Sequence, residues 1–584
     1  MIRPKFFTFF LRPHTHVILL AAILVAALFH PGLSGGFIFD DKPNITENVA
    51  LYTKGIDHVS LLRAAMNFPS VPGLRAIPML SFGLDHFRAD SFDPYTYKTT
   101  NLAIHLITFA VLAGFLRALL LLAGWRETRA FWGGLAIALA WAIHPLQVSS
   151  VLYVVQRMQT LATLFLLLAL WWYLKMRQAQ GDGRPGWREG RWVLLFWLMA
   201  LASKEDAAIF PACCLALECT VLGFRASTPK VSRFWRYGYL VLVGVALFGF
   251  VFWALPKYGS WATFAGRDFN SYERVLTQGR VLLLYLGQML WPLPDNMPFY
   301  YDDYVVSRSW TEPASTRVSW GLLAGLGVLA WLLRARRPLL ALGIFWFFAG
   351  HFITSNVVNL ELVFEHRNHF PLVGIVLAVG DAMAALFSVV NEKPRPYLAA
   401  STCILIVVCL GFFTWQRATA WGSNLSLAEK SVEIAPNSSR AWVALCRAHY
   451  DLSEGRVDSP SFSKAIESCE QGGAVTGSVM ALANVVLFKT LRGDVEQPDW
   501  DRLLERLRHI KMSAENASVA MNMVGNANHG LPLSPRGVLQ VIQVVDQRRG
   551  FAPGEYVAIA RFLLDHGSQP DLAYSYLEKA VQRA

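Results

Sequence analysis

Apolar positions in this chain gather into long runs with almost no charge inside them, and polar residues are confined to the connections. Such runs cover residues 15–30, 99–122, 130–144, 151–174, 191–203, 206–223, 237–255, 317–333, 338–357, 369–388 and 397–414. A helix of about 20 apolar residues matches the hydrocarbon thickness of a bilayer. The pattern predicts an all-α, polytopic membrane bundle of about eleven transmembrane helices. The stretch 279–293 ends in Trp291-Pro292-Leu293-Pro294 and reads as re-entrant or interfacial. With it non-spanning, Arg126/Arg129, Lys175–Arg191, Arg225–Arg236, Arg334–Arg337 and Lys393–Arg395 share one side with the N-terminus. Lys and Arg mark the cytoplasmic side, so the N-terminus is expected inside and the C-terminus outside.

From about 415 the pattern turns amphipathic. Leu425, Leu427, Ala428, Val432 and Ile434 precede Pro436, and Ala441, Leu445 and Ala448 continue at helical spacing. Later segments at 477–491, 498–511, 514–527, 535–548 and 554–565 read as short helices. The expected organisation is a membrane domain over 1–414, with a first extracytoplasmic loop at 31–98. A soluble helical-hairpin domain of tetratricopeptide-like character follows over 415–584.

Composition agrees. The 584 residues are 54% hydrophobic and 16% charged. The net charge of +12 would suggest nucleic acid in a soluble protein. Here the cations sit in short loops between apolar runs, where they set orientation, and no nucleic-acid partner is expected. The N-terminal Arg3, Lys5 and Arg12 before an apolar run imitate a signal peptide. The run is bordered by His30-Pro31 with no small-residue cleavage site, so it reads as a retained anchor.

Asp40 and Asp41 lie just beyond that anchor. Ionised groups beside hydrocarbon are costly, and such a pair is a functional-site candidate; the competing reading is turn chemistry in Asp-Asp-Lys-Pro-Asn. Other polar clusters fall on the same predicted face: Arg157 near the start of 151–174, Lys204 and Glu205 in a turn, and Glu365, His366 and Arg367 before 369–388. Snorkelling and solvated turns account for each singly. Together they suit a transferase that takes a sugar from a lipid phosphate. A carboxylate would accept the proton of the attacking hydroxyl, and cations would hold the phosphate as the bond breaks. Asp302-Asp303 reads as a second acidic site or as a solvated loop.

In order along the chain these segments resemble the transmembrane and tetratricopeptide-repeat O-mannosyltransferases, within the GT-C class of membrane glycosyltransferases. The resemblance rests on Asp40-Asp41, on Arg75 through Phe82, on Tyr97 through Asn101 with His105, and on His144-Pro145-Leu146-Gln147 through Arg157. Ser203-Lys204-Glu205 and Glu365-His366-Arg367 complete it. It covers about residues 30–440. Gln156 replaces a glycine of the family pattern, and Ala76-Ile77 displace a proline. The resemblance implies Asp40 or Asp41 as the catalytic base and Arg157, Lys204 and Arg367 at the donor phosphate. Arg75, His144, Glu205, Glu365 and His366 would support the site. It implies a polyprenyl-phosphate sugar donor, a protein (Ser/Thr) or glycan acceptor, contact with membrane lipid, and no nucleotide sugar. No metal ligands are assigned, although a divalent cation is a possible cofactor. The expected location is a bacterial inner membrane with the C-terminal domain periplasmic.

Three other readings compete, one of them a tetratricopeptide scaffold with a membrane anchor, which would not need eleven spans. An O-antigen-type ligase or polymerase would rely on Arg and His in a large late loop, whereas the acidic pair here is early. A transporter would show mid-membrane charges and repeated hydropathy. Of seven cysteines, Cys446 and Cys469 fall on two successive predicted helices, 439–453 and 460–471. They are expected either to bridge across that hairpin or to remain two buried thiols.

Overall fold

In the computed structural model, residues 13–259, 266–567 and 569–583 are described; Arg3, Lys5 and Arg12 lie outside them. The described chain is helical, with no strand among its residues. Among the described residues, seven helices are long and apolar enough to cross a membrane: Thr15–Gly32, Pro94–Leu122, Val154–Gly181, Pro229–Tyr258, Ser315–Leu333, Pro371–Ser388 and Arg395–Ala420. This marks a membrane protein. Helices of 16, 15 and 14 residues occupy Glu127–Ala142, Trp187–Leu201 and Pro338–His351. The stretch after Trp187–Leu201 is no single helix. Pro211 lacks the N–H that would continue an incoming helix, and a 3-10 turn gives way to an α-helix at Phe210–Leu217. A π-helical turn follows at Glu218–Leu222, where Glu218 turns inward to Arg177 at 2.5 Å.

The chain divides into two compact units. The first runs through Tyr258 and adds Tyr272–Phe299 and Ser307–Ser426. Its helices differ widely in surroundings. In the most apolar stretch of Val154–Gly181, 83% of residues are buried, against 6% for Pro229–Tyr258. Val154–Gly181 is thus an interior helix, and Pro229–Tyr258 turns nearly all its side chains outward, as suits lipid. Ser271–Leu290, which contains the ambiguous apolar stretch, is an amphipathic helix whose buried face includes Arg274, Gln278 and Gln288.

The second unit comprises Gly259–Ser271, Tyr300–Val306 and the chain from Leu427 onward. Its helices begin at side-chain caps: Ser438, Ser459, Ser478, Ser513 and Ser534 each accept a backbone N–H of the first turn. Trp500, Leu503, Leu507, Val541, Ile542 and Ile559 contribute to its largest apolar core. Ser439–Ser453 and Pro460–Thr476 pack as a hairpin, and Cys446 and Cys469 are bridged across it with Cα atoms 5.3 Å apart. Asp302 serves this unit as a cap: its carboxylate accepts from Ser438 Oγ and, at 3.2 Å, from Arg440 N.

Candidate active site

The acidic pair follows a backbone that has little choice of side chain. At Gly35 a Cβ would sit 2.1 Å from the Trp421 carbonyl oxygen and 2.8 Å from Lys98 Nζ. Phe39, directly before the pair, adopts a left-handed φ of 41°. A bulky residue held there costs about 1–3 kcal/mol, and such strain concentrates at functional sites. The result is that the two carboxylates face different surroundings.

Asp41 is fully buried, and both its oxygens are engaged. Oδ2 accepts from Ile38 N at 3.0 Å and Oδ1 from Val155 N at 2.7 Å. Burial pushes its pKa up to about 7, against the pull of those two amides and of Lys98. Lys98 itself is buried and donates to Gly32 O at 3.1 Å. Asp40 is half-buried, and its backbone N–H donates to Tyr153 Oη at 2.8 Å. An aromatic cluster adjoins it: Phe39 and Tyr153 both meet the ring of Phe299 edge-on, and Phe299 meets Trp421 likewise.

Arg75 and Lys204 reach the same short segment. Asp40 and Asp41 contact Tyr153 and Val155; Arg75 Nη1 lies 3.2 Å from Met158 Sδ, and Lys204 Nζ donates to Gln159 Oε1 at 2.8 Å. One helical turn later, Thr163 meets His369 Nδ1 at 2.9 Å. The seven residues Tyr153–Gln159 therefore tie acid and base components of the candidate site together. Arg75, also left-handed at φ 55°, makes a forked contact with Glu205, one arm of which is 3.0 Å. Burial raises the Glu205 carboxyl, but the Arg75 contacts outweigh it and hold the pKa below the ordinary value. Burial pulls the Lys204 ammonium down; Asp206 and Glu205 oppose this, while the nearby Arg75 and Arg367 charges add to it. Burial likewise holds His366 neutral, reinforced by Lys204, Arg367 and Arg75. Arg75, Lys204, Arg367 and His366 thus share one electrostatic neighbourhood.

Four predicted residues are held by contacts within the protein. Arg157 is fully buried: Nε donates to Asn101 Oδ1 at 2.6 Å and Nη2 to Tyr97 O at 2.8 Å, and Nη2 pairs with Asp85 at 2.6 Å. Its guanidinium lies over Phe82 with 4.6 Å to the ring centre. With Nη1 donating to Ser81 Oγ at 3.2 Å, all three of its nitrogens have partners inside the protein, which suits a positioning residue. His144 uses both ring nitrogens on backbone, Met289 O at 3.1 Å and Leu146 N at 3.2 Å, and so shapes its turn. Glu365 pairs with Arg417 at 2.8 Å, and Arg417 also donates to Pro145 O at 2.8 Å. Arg367 donates to Glu361 O at 2.8 Å and Leu362 O at 3.1 Å from one nitrogen.

No family model, curated protein or solved structure matches the chain. The site therefore rests on its own geometry. That geometry adds residues the sequence reading passed over. Lys98 carried a signal, a cation at the edge of an apolar helix; Tyr153 and Gln159 carried none. The buried side chains of Gln147, Ser150 and Asn368 have no hydrogen-bond partner among the described residues, and the Gln147–Leu152 helix packs on the turn that holds Asn368. Unsatisfied buried amides are costly, so this patch suits a polar ligand or ordered water. Among the described residues no three His, Cys, Asp or Glu side chains form a group able to hold a metal ion.

Proposed function

We propose that the chain is a membrane glycosyltransferase of GT-C type, akin to the transmembrane and tetratricopeptide-repeat O-mannosyltransferases. It moves a sugar from a polyprenyl phosphate to a hydroxyl of a protein Ser/Thr or of a glycan. The observation that carries this is the Tyr153–Gln159 segment, which contacts the acidic pair, Arg75 and Lys204 together. Asp40, half-buried beside aromatic rings, takes the proton of the acceptor hydroxyl as its oxygen attacks the anomeric carbon. The bond from that carbon to the phosphate oxygen breaks, and the lipid phosphate leaves with the electron pair. Arg75, Lys204 and Arg367 stabilise its charge. Asp41 holds the loop through Ile38 and Val155 and touches neither reactant. Inversion at the anomeric centre follows from direct displacement.

In this reading about eleven segments cross a bacterial inner membrane, with the short helices counted among them, the N-terminus inside and the site outside. The helical pairs of the second unit are tetratricopeptide-like and face the periplasm. The bridge between Cys446 and Cys469 supports that placement, because disulfides persist in oxidising compartments.

The test uses full-length purified protein, a lipid extract as donor source, and mass analysis of the product. Asp40→Asn should lower transfer by about 10²–10⁴-fold with the fold intact. Transfer by Asp40→Asn at the wild-type rate would remove Asp40 as base.

A further inference from the structure

A cavity rimmed by charged side chains lies at the opposite ends of the helices that frame the candidate site. It encloses about 760 Å³ between the turn at Gly124–Arg129, the start of Pro338–His351, the end of Pro371–Ser388 and the start of Arg395–Ala420. Pro371–Ser388 begins two residues after His369; Asp381, at the inner end of the cavity, lies about 15 Å along it, and the full 18 residues reach Ser388 at the outer end, about 27 Å. That is close to the hydrocarbon thickness of a bilayer, about 30 Å. The cavity thus sits at the headgroup level of the leaflet away from Asp40.

Its chemistry is cationic. Arg126, Arg129, Arg337 and Arg395 line it, against Asp381 and Glu392. Arg337 is paired with Asp381 at 2.9 Å, and Arg395 donates to the Val390 and Ser388 carbonyls. Arg126 and Arg129 are exposed, and neither has a hydrogen bond or ion pair from its side chain within the described protein. Trp125, half-buried on the wall, belongs to a residue type that favours the membrane–water boundary. Basic pockets between membrane helices on the cytoplasmic side recognise anionic headgroups.

We propose that this cavity binds the phosphate headgroup of an anionic phospholipid, with Arg126 and Arg129 as its free cationic contacts. The proposal depends on the membrane character of the chain and is independent of the transferase reading. Full-length protein in detergent is mixed with phosphatidylglycerol or phosphatidylcholine, and retained lipid is measured by native mass spectrometry. Wild-type protein should retain phosphatidylglycerol preferentially. Arg126→Gln with Arg129→Gln should weaken retention by about tenfold or more. Arg233→Gln with Arg236→Gln, which removes the same charge from exposed positions that do not line the cavity, should leave retention unchanged. Gel filtration reports whether each variant is folded, and Arg129→Gln alone serves if the pair is not. Equal retention of both lipids would overturn the proposal, as would equal losses in the two double variants. Displacement of phosphatidylglycerol by glycerol 1-phosphate at millimolar concentration would also overturn it, because the site would then recognise a free phosphate.

Discussion

Asp40 and Asp41 are identical side chains one peptide apart, yet Asp40 is half-buried and Asp41 fully buried. The difference is set by partners 114 positions along the chain, since Val155 N holds Asp41. Nothing in a local window records that contact, which is why the pair is visible in sequence and its division of labour is not. Lys98 and Arg157 show the same limit from the other direction. Their positions mark them as unusual, but whether each charge faces a ligand or a buried partner depends on which helices meet. Asp41 also carries a measurable signature. Its pKa rises from 3.8 to about 7 on folding. Between those values the folded state holds a proton that the unfolded chain has lost. Taken alone, Asp41 therefore favours folding below about pH 4, and this contribution is lost as pH rises through about 7. The difference in thermal unfolding midpoint between wild-type protein and Asp41→Asn should shift against the wild type over that window and level off above it. A difference that stays constant from pH 4 to 8 would refute the burial of an ionisable Asp41.

Helices were readable wherever apolar residues ran long, because a membrane leaves the backbone no other way to satisfy itself. Residues 206–223 looked like one more such run, but Pro211 and the inward Glu218 break it into three helical forms. The 397–414 run, by contrast, extends to Ala420 as one helix, and its polar end supplies Arg417 to Glu365. Arg157 connects several elements, joining Ala76–Ala89 through Asp85 and Ser81, and Pro94–Leu122 through Asn101 and Tyr97. Arg157→Gln leaves Asp85 buried without that counter-ion and should cost about 3–5 kcal/mol. Adding Asp85→Asn should recover part of the loss. Thermal denaturation of the full chain checks this; an additive double variant would mean the pair is not coupled.

At the scale of the molecule, the disulfide gives the second unit a stability that depends on compartment. Its sequence separation of 23 residues corresponds to about 3 kcal/mol of restrained unfolded chain. Cys446→Ala with Cys469→Ala should lower the unfolding temperature of that unit, and reductant should reproduce the effect on wild-type protein while leaving the variant unmoved. Proteolysis between 439 and 476 in the full-length protein reads it directly. The contrast between Val154–Gly181 and Pro229–Tyr258 has another consequence, for how the chain can change over generations. The interior helix is constrained by shape, since each of its side chains fills a particular gap. The outward helix is constrained by partition, since lipid asks only that a side chain be oily. Two helices of similar length, 28 and 30 residues, are therefore expected to drift at different rates, one holding to particular residues and the other only to a class.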